Sequence, residues 1–402
     1  MTNTWTSRLR AIPKGVWALG FVSMLMDISS EMIHALLPIY MVTVLGASVL
    51  TVGIIEGIAE ATAAIVKVFS GALSDWLGRR KGLAVLGYGL AAFTKPIFPL
   101  ASGISWLIAA RFFDRIGKGI RGAPRDALVA DLAPPEMRGA SFGLRQSLDT
   151  IGAFIGPLLA ILIMLATANS FVTVFWIAVI PAFLSFLLIV FVVREPDRPT
   201  GLRQMKSPLS RAELSRLGVD YWWVVGIASV FTLARFSEAF LILRTQSVGL
   251  PIALVPAVMV LMNVVYSLSA YPAGVLSDRM DRHTILIVGL VLLIVADVIL
   301  GYSTGVLGVA MGVVLWGLHM GLTQGLLATL VADTAPAELR GTAYGMLNLV
   351  TGLALLAASV IAGGLWDAIG PKGTFLAGAG FSAIAVLGLL VLRRTKVAEL
   401  PS

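Results

Sequence analysis

Cysteine is absent from this 402-residue chain and charge is scarce. Without cysteine there are no disulfides, no thiolate metal sites and no thiol nucleophile. Only 13% of the residues are charged, against about 25% in an ordinary soluble domain, so too few polar side chains exist to coat a water-facing surface. No His-Glu-x-x-His and no Walker A pattern occurs, which excludes hydrolysis and direct ATP drive built on those motifs. The longest polar stretch is only about 26 residues, too short for the output domain of a sensor.

What the chain does have is apolar length. Hydrophobic residues make up 58% of it, and the mean hydropathy is +0.92. The bilayer is the solvent that tolerates such a composition. The net charge of +8 could suggest a nucleic acid partner. The Lys and Arg residues instead cluster between apolar runs, with no aromatic-interleaved basic face, so nucleic acid is excluded. The first apolar run, from near Gly15 to about Leu45, is too long for a signal peptide core. It is expected to insert as the first spanning helix.

A helix needs about 20 apolar residues to cross a hydrocarbon core of roughly 30 Å. That ruler predicts twelve spans: 15–44, 50–74, 83–101, 105–129, 140–165, 171–193, 221–247, 251–277, 284–302, 305–332, 342–365 and 372–392. Alternate connections carry the positive charge, which keeps a loop cytoplasmic. The basic set holds Arg8, Arg10 and Lys14; Arg79, Arg80 and Lys81; Arg138; Arg279 and Arg282; Arg340; and Arg393, Arg394 and Lys396. Connections near 46–49, 102–104, 166–170 and 303–304 carry no Lys or Arg, and only Lys372 and Arg244 break the rule. Both termini are expected to be cytoplasmic.

The chain repeats itself at an offset of about 202 residues. The stretch from Leu128 to Gly139, with Asp131, Pro134, Glu136 and Arg138, returns from Leu330 to Gly341 with Asp333, Pro336, Glu338 and Arg340. The run Gly71-Ala-Leu-Ser-Asp75-Trp-Leu-Gly78-Arg79 returns as Gly274-Val-Leu-Ser-Asp278-Arg-Met-Asp281-Arg282. Two matches at one offset imply two parallel six-helix bundles, 1–193 and 221–402, joined by a cytoplasmic linker over 194–220. Such bundles are expected to face one another across a central cavity and to open it to alternate sides by rocking.

The run from Gly71 to Lys81 resembles the signature between helices 2 and 3 of the major facilitator superfamily, with Trp76 where a basic residue is usual. Gly78 suits a sharp turn, Asp75 can accept from a helix N-terminus, and Arg79 and Arg80 can pair with carboxylates. The resemblance implies an all-α membrane fold of about twelve helices, a monomer, and a cytoplasmic gate at this cluster. The gate also takes in Asp131, Arg138, Arg145 and Asp149, with Gly274, Asp278, Arg282, Asp333 and Arg340 as second-half counterparts. Asp281 replaces the expected glycine of the second copy, so a weaker second gate is expected. Helix 4 reads Arg115-Ile-Gly-Lys118-Gly119-Ile-Arg121-Gly122-Ala123, similar to a second family signature whose arginine is linked to proton transfer, with Lys118 in place of glutamine. Gly152-Ala-Phe-Ile-Gly156-Pro157 resembles the helix 5 signature of antiporters. Its plain alternative is ordinary close helix packing through small residues. Within the superfamily the chain looks most like the bacterial drug:proton antiporter branch, in a bacterial-type inner membrane.

A charge at the bilayer centre costs about 2.5–3.5 kcal/mol even on lenient scales, so such residues mark cavities and partners. Helix 1 carries Asp27, Glu31 and His34 on one face, and helix 2 carries Glu56, Glu60 and Lys67 on one face. Helix 4 carries Arg111, Arg115 and Lys118, with Asp114 and Arg121 alongside; helix 7 adds Arg235 and Glu238. The carboxylate faces of helices 1 and 2 are expected to oppose the cationic face of helix 4. A carboxylate that can take up a proton is what proton coupling requires, and Asp27, Glu31 and the Glu56/Glu60 pair are the candidates, with Arg115 switching partner. The competing reading is a set of structural ion pairs. Lys95 and Asp297 are single buried charges with no partner readable from sequence.

The function these features support is proton-coupled export of a small organic molecule, with no cofactor and no catalysis. Uptake or exchange of a small organic anion or metal chelate is the alternative, and metal-ion export a weaker one. No four-ligand metal set is spaced convincingly.

Overall fold

A computed structural model of the chain describes residues 11–77, 79–195, 214–277, 280–336 and 339–398. Most of the linker falls outside them. Twelve long helices account for nearly all the described residues: α1 Lys14–Thr43, α2 Val49–Leu77, α3 Arg80–Leu100, α4 Ile104–Leu132, α5 Arg138–Ala166, α6 Phe171–Phe191, α7 Val219–Ser247, α8 Ala257–Ser277, α9 Arg282–Tyr302, α10 Val306–Thr334, α11 Arg340–Ile369 and α12 Pro371–Ala398. Eleven are long and apolar enough to cross a membrane. The exception, α4, has the length but carries five cations and three carboxylates between Arg111 and Asp131. In hydrocarbon every backbone N–H and C=O must be satisfied within the segment, which is why apolar runs of this length become helices.

Three helices are interrupted, each for a local reason. Pro38 follows the break in α1 at Ala35–Leu36, and Pro96 follows Lys95 in α3, where the missing N–H ends the first segment. The break in α7, over Arg235–Glu238, has no proline; Ser237 Oγ accepts from Ala239 N at 3.2 Å and restarts the helix. The breaks in α1 and α7 fall at equivalent points of the 202-residue repeat.

Two compact units emerge, one from Met1–Leu37 and Thr62–Ser207, the other from Pro38–Ala61 and Pro208–Ser402. Compactness therefore groups the chain differently from the repeat, because residues 38–61 pack with the second half. Small residues explain this. A side chain at Gly57 would meet Leu356 of α11 at 2.9 Å, and one at Gly363 would meet Leu50 Cα at 2.7 Å. The Asp367 carboxylate then accepts from Val49 N at 3.1 Å and Leu50 N at 2.9 Å, satisfying the first turn of α2.

In the first unit α1 packs on α5 and α6, and α3 on α4 and α6. The core centres on Val16, Leu19, Val22, Met26, Tyr88 and Ala182. In the second unit α7 packs on α11 and α12, and α9 on α10 and α12, the same pattern one repeat later. Outside these cores Leu162, Ile180, Leu307 and Leu387 are exposed, as expected of side chains facing lipid. Asp281, the departure from the glycine pattern, serves α9 as a cap: its carboxylate accepts from Thr284 N and Oγ1. Arg244 donates from Nε to Leu300 O at 2.7 Å and also binds Ser303 O, closing the other end of α9.

Truncating the cap, Asp367→Ala, is expected to cost about 1 kcal/mol and to lower the melting temperature of the purified protein. An unchanged melting curve would show that the two N–H groups find equal partners without it.

Candidate functional site

The charged helices of the first unit meet because glycines let their backbones approach. A side chain at Gly152 of α5 would lie 3.1 Å from Asp27 Cβ, and one at Gly156 would lie 2.8 Å from Glu31 Cβ. The two glycines of the α5 motif are thus the seats of the two α1 carboxylates. On the opposite side, a side chain at Gly87 of α3 would meet Arg121 N at 2.6 Å, and one at Gly117 of α4 would meet Gly87 O at 2.7 Å. Gly119 of α4 sits equally close to Val66 of α2, and Ser70 Oγ donates to Gly119 O at 2.9 Å.

A chain of polar contacts then runs along α4, spanning about 18 Å of helix between residues 114 and 126. At one end Lys95 Nζ lies 2.9 Å from Asp114 Oδ1 and donates to Ser30 Oγ at 3.1 Å; both members of the pair are buried. Arg111, Arg115 and Arg121 act electrostatically on Asp114 as well. Arg115 also acts on Glu31, so this one cation lies within reach of two carboxylates on different helices. Glu31 and His34 Nδ1 are 3.6 Å apart. Midway, the Arg121 guanidinium stacks 4.9 Å over the Tyr88 ring, and Tyr88 Oη lies 3.0 Å from Ser23 Oγ. Arg125 Nη1 donates to Ser23 Oγ at 2.9 Å. At the other end Arg145 binds Asp149 at 2.5 Å, and both Arg125 and Arg145 reach Asp126. Asp27 is within electrostatic range of the like charge Asp149 and of the cations Arg121, Arg125 and Lys118.

The structure thus gathers Asp27, Glu31, His34, Arg111, Arg115, Arg145 and Asp149 into one unit. Lys118 remains exposed on α4. Glu56, fully buried, and Glu60 belong to residues 38–61 and so to the second unit, whereas Lys67 of the same helix belongs to the first. The expected charged face of α2 is therefore divided, with both carboxylates in the second unit and Lys67 in the first. Arg235 and Glu238 flank the α7 break. With its amide oriented to match its neighbours, Gln324 accepts from both terminal nitrogens of Arg235 and donates to Tyr266 Oη at 3.0 Å. Gly71 packs on Ala123, Arg80 pairs with Asp131 at 2.9 Å and its backbone N–H donates to Glu195, while Arg79 and Arg138 are exposed. Asp75, Gly78, Gly274, Asp278, Arg282, Asp333 and Arg340 lie outside the side chains the structure describes.

Sequence reasoning missed the partner of Lys95, because Asp114 lies on another helix. It also missed Arg125 and Asp126, which continue the one-turn ladder from Arg121 and were legible in that spacing.

A model of the Major Facilitator Superfamily matches residues 19–348 and 225–402. The chain belongs to this superfamily. It is 34% identical over 398 residues to an uncharacterized MFS-type transporter of Methanocaldococcus jannaschii, covering 95% of each chain. It is 26% identical over 385 residues to the inner membrane transport protein YajR of Escherichia coli, covering 92% of this chain and 81% of that one. Among solved structures it resembles the nucleoside transporter NupG, with a TM-score of 0.79 and 12% identity over 94% of this chain and 99% of NupG. A bacterial homolog of the human lysosomal transporter Spinster matches with a TM-score of 0.76 and 16% identity over 97% of this chain and 98% of that one. The protein is thus a multi-pass transporter of a small molecule and not an enzyme, and its fold is that of the superfamily.

Two substitutions test the packing and pairing in the first unit. Lys95→Met removes the ion-pair partner of Asp114 but leaves Arg111, Arg115 and Arg121 to compensate it, and is expected to destabilise by about 3 kcal/mol or less. The Lys95→Met/Asp114→Leu double variant also strips those arginines of their carboxylate and is expected to lose more. Thermal denaturation in detergent reads both. Gly156→Val places methyl groups against Glu31 and Ile28 and is expected to cost about 1–3 kcal/mol and to displace α1. Unaltered stability and transport would mean that α5 does not seat the α1 carboxylates.

Proposed function

We propose that the protein is a proton-coupled exporter of a small organic molecule, working as a monomer by alternating access in a bacterial-type cytoplasmic membrane with both termini inside. The observation that supports this is the placement of Asp27 and Glu31. Both lie at glycine seats on α5, and Asp27 is within electrostatic range of a like charge, Asp149, and of the cations of α4. A proton arriving at Asp27 removes its repulsion with Asp149 and its hold on Arg121 and Arg125. Arg125 and Arg145 then keep Asp126 and Asp149 as partners. Arg115, within range of Glu31 and Asp114, is the cation able to change partner as Glu31 gains or loses charge. The Arg80–Asp131 pair and the cluster around Arg145 and Asp149 suit a gate at the turn between α2 and α3.

A second reading is uptake or exchange of a small organic anion or metal chelate. The observation in its favour is the excess of cations over carboxylates on α4, with Arg111, Arg115 and Arg121 buried. Metal-ion export has less support: among the described residues no three of His, Asp and Glu converge.

Candidate ligands come from a thermal-shift screen of the purified protein, since a bound ligand stabilises the fold. In proteoliposomes, a pH gradient is then imposed and ligand flux followed. Asp27→Asn is expected to reduce gradient-driven flux at least about tenfold, equivalent to about 1.4 kcal/mol or more of coupling, while exchange at equal pH survives. Undiminished coupling in Asp27→Asn, Glu31→Gln, Glu56→Gln and Glu60→Gln alike sinks the proton scheme. Reversing the gradient separates export from uptake.

A further inference from the structure

The two units carry the same helix pair in the same register, with one exchange of chemistry. In the first unit Gly87 of α3 faces Arg121 and Gly117 of α4; in the second, Gly289 of α9 faces Thr323 and His319 of α10. Each of these positions is its counterpart displaced by 202 residues. The same displacement carries Lys95 onto Asp297 and Asp114 onto Trp316. The buried ion pair that joins α3 to α4 is therefore represented in the second unit by an acid and an indole.

Asp297 forms no ion pair among the described residues. It is 0% exposed, and neither carboxyl oxygen has a hydrogen-bond partner among the described residues. Trp316, at the position of Asp114, is also fully buried, and its Nε1–H makes no hydrogen bond among the described residues. The carboxyl packs against Gly378 of α12, where a side chain would lie 2.6 Å from Oδ2 and 3.0 Å from the Phe236 ring. Phe236 in turn contacts the rings of Trp316, Phe240 and Phe375 at 5.3–5.5 Å. Among the described residues, these titratable and charged groups of the surrounding helices α7, α10 and α12 have other partners. His319 of α10 holds Gly289 O through Nδ1, and Lys372 of α12 lies over the Tyr302 ring. From α7, Arg235 binds Gln324 and Arg244 binds Leu300 O and Ser303 O; Glu238 shares the α7 break with Arg235. None forms an ion pair with Asp297.

An ionised carboxylate in such a place would bear the whole loss of its hydration with nothing in return, and a buried acid without a partner neutralises instead. We propose that Asp297 is a proton-binding site of the second unit, its carboxyl holding a proton while α9, α10 and α12 are closed around it. When that packing opens, the O–H bond breaks, the proton passes to water, and the carboxylate left behind is hydrated. The site is separate from the α1 carboxylates and does not rest on their coupling transport.

Infrared spectroscopy of the full-length protein at neutral pH, with no gradient and no ligand, reads the site directly. Wild type is expected to show the carbonyl stretch of a protonated carboxylic acid, and Asp297→Asn to lose that component. If Asp297→Asn does not fold, Asp297→Glu serves: the component is expected to persist at a shifted frequency. A carbonyl region unchanged by Asp297→Asn, or unshifted in Asp297→Glu, overturns the proposal. Because the spectrum requires no transport, its outcome is independent of whether Asp27→Asn abolishes coupling.

Discussion

Charge that must live in hydrocarbon needs a partner, and α4 imposes that requirement on the rest of the first unit. Five cations and three carboxylates on one 29-residue helix cannot be tolerated facing lipid, where each would cost about 2.5–3.5 kcal/mol or more. The neighbours are arranged accordingly. α3 brings Lys95 and Tyr88, α1 brings Ser23, Asp27, Ser30 and Glu31, and α5 brings Arg145 and Asp149. The helix that fails the test of apolarity is therefore the one around which the polar interior is organised.

Glycine makes that arrangement possible. Short polar contacts between helices require backbones closer than ordinary side chains allow. Gly87 and Gly117 bring α3 against α4, and Gly152 and Gly156 bring α5 against α1. The same device acts in the second unit, where Gly317 fits against Met262 O and Val265 of α8. It also moves residues 38–61 out of the unit that their place in the repeat suggests, through Gly57, Gly363 and the Asp367 cap.

The repeat is thus a common scaffold with unequal contents. The first unit holds ion pairs at Lys95–Asp114 and around Arg125 and Arg145, with Arg121, Tyr88 and Ser23 between them. In the equivalent helix pair of the second unit the positions of Lys95 and Asp114 hold Asp297 and Trp316, both buried. A transporter driven by protons needs groups whose charge state differs between its conformations. A set of ion pairs and an isolated acid are two physically different ways to supply one.

Much of this was legible before any coordinates. Twelve spans, the 202-residue repeat and the family resemblance follow from hydrophobic length, Gly-Asp-Arg punctuation and matched motifs, all of them local or periodic along the chain. The ladders Asp27–Glu31–His34 and Arg111–Arg115–Lys118 also follow, because helical spacing alone sets which residues share a face. Partnership did not follow. Lys95 and Asp114 are 19 residues apart on antiparallel helices, Arg125 meets Ser23 across 102 residues, and the α2 carboxylates pack with the half that does not encode them. Such contacts depend on the distance and register at which helices pack, which two glycines on different helices decide jointly. Hydrophobicity marked eleven of the twelve long helices as able to cross a membrane; only close packing in three dimensions determined which charges meet.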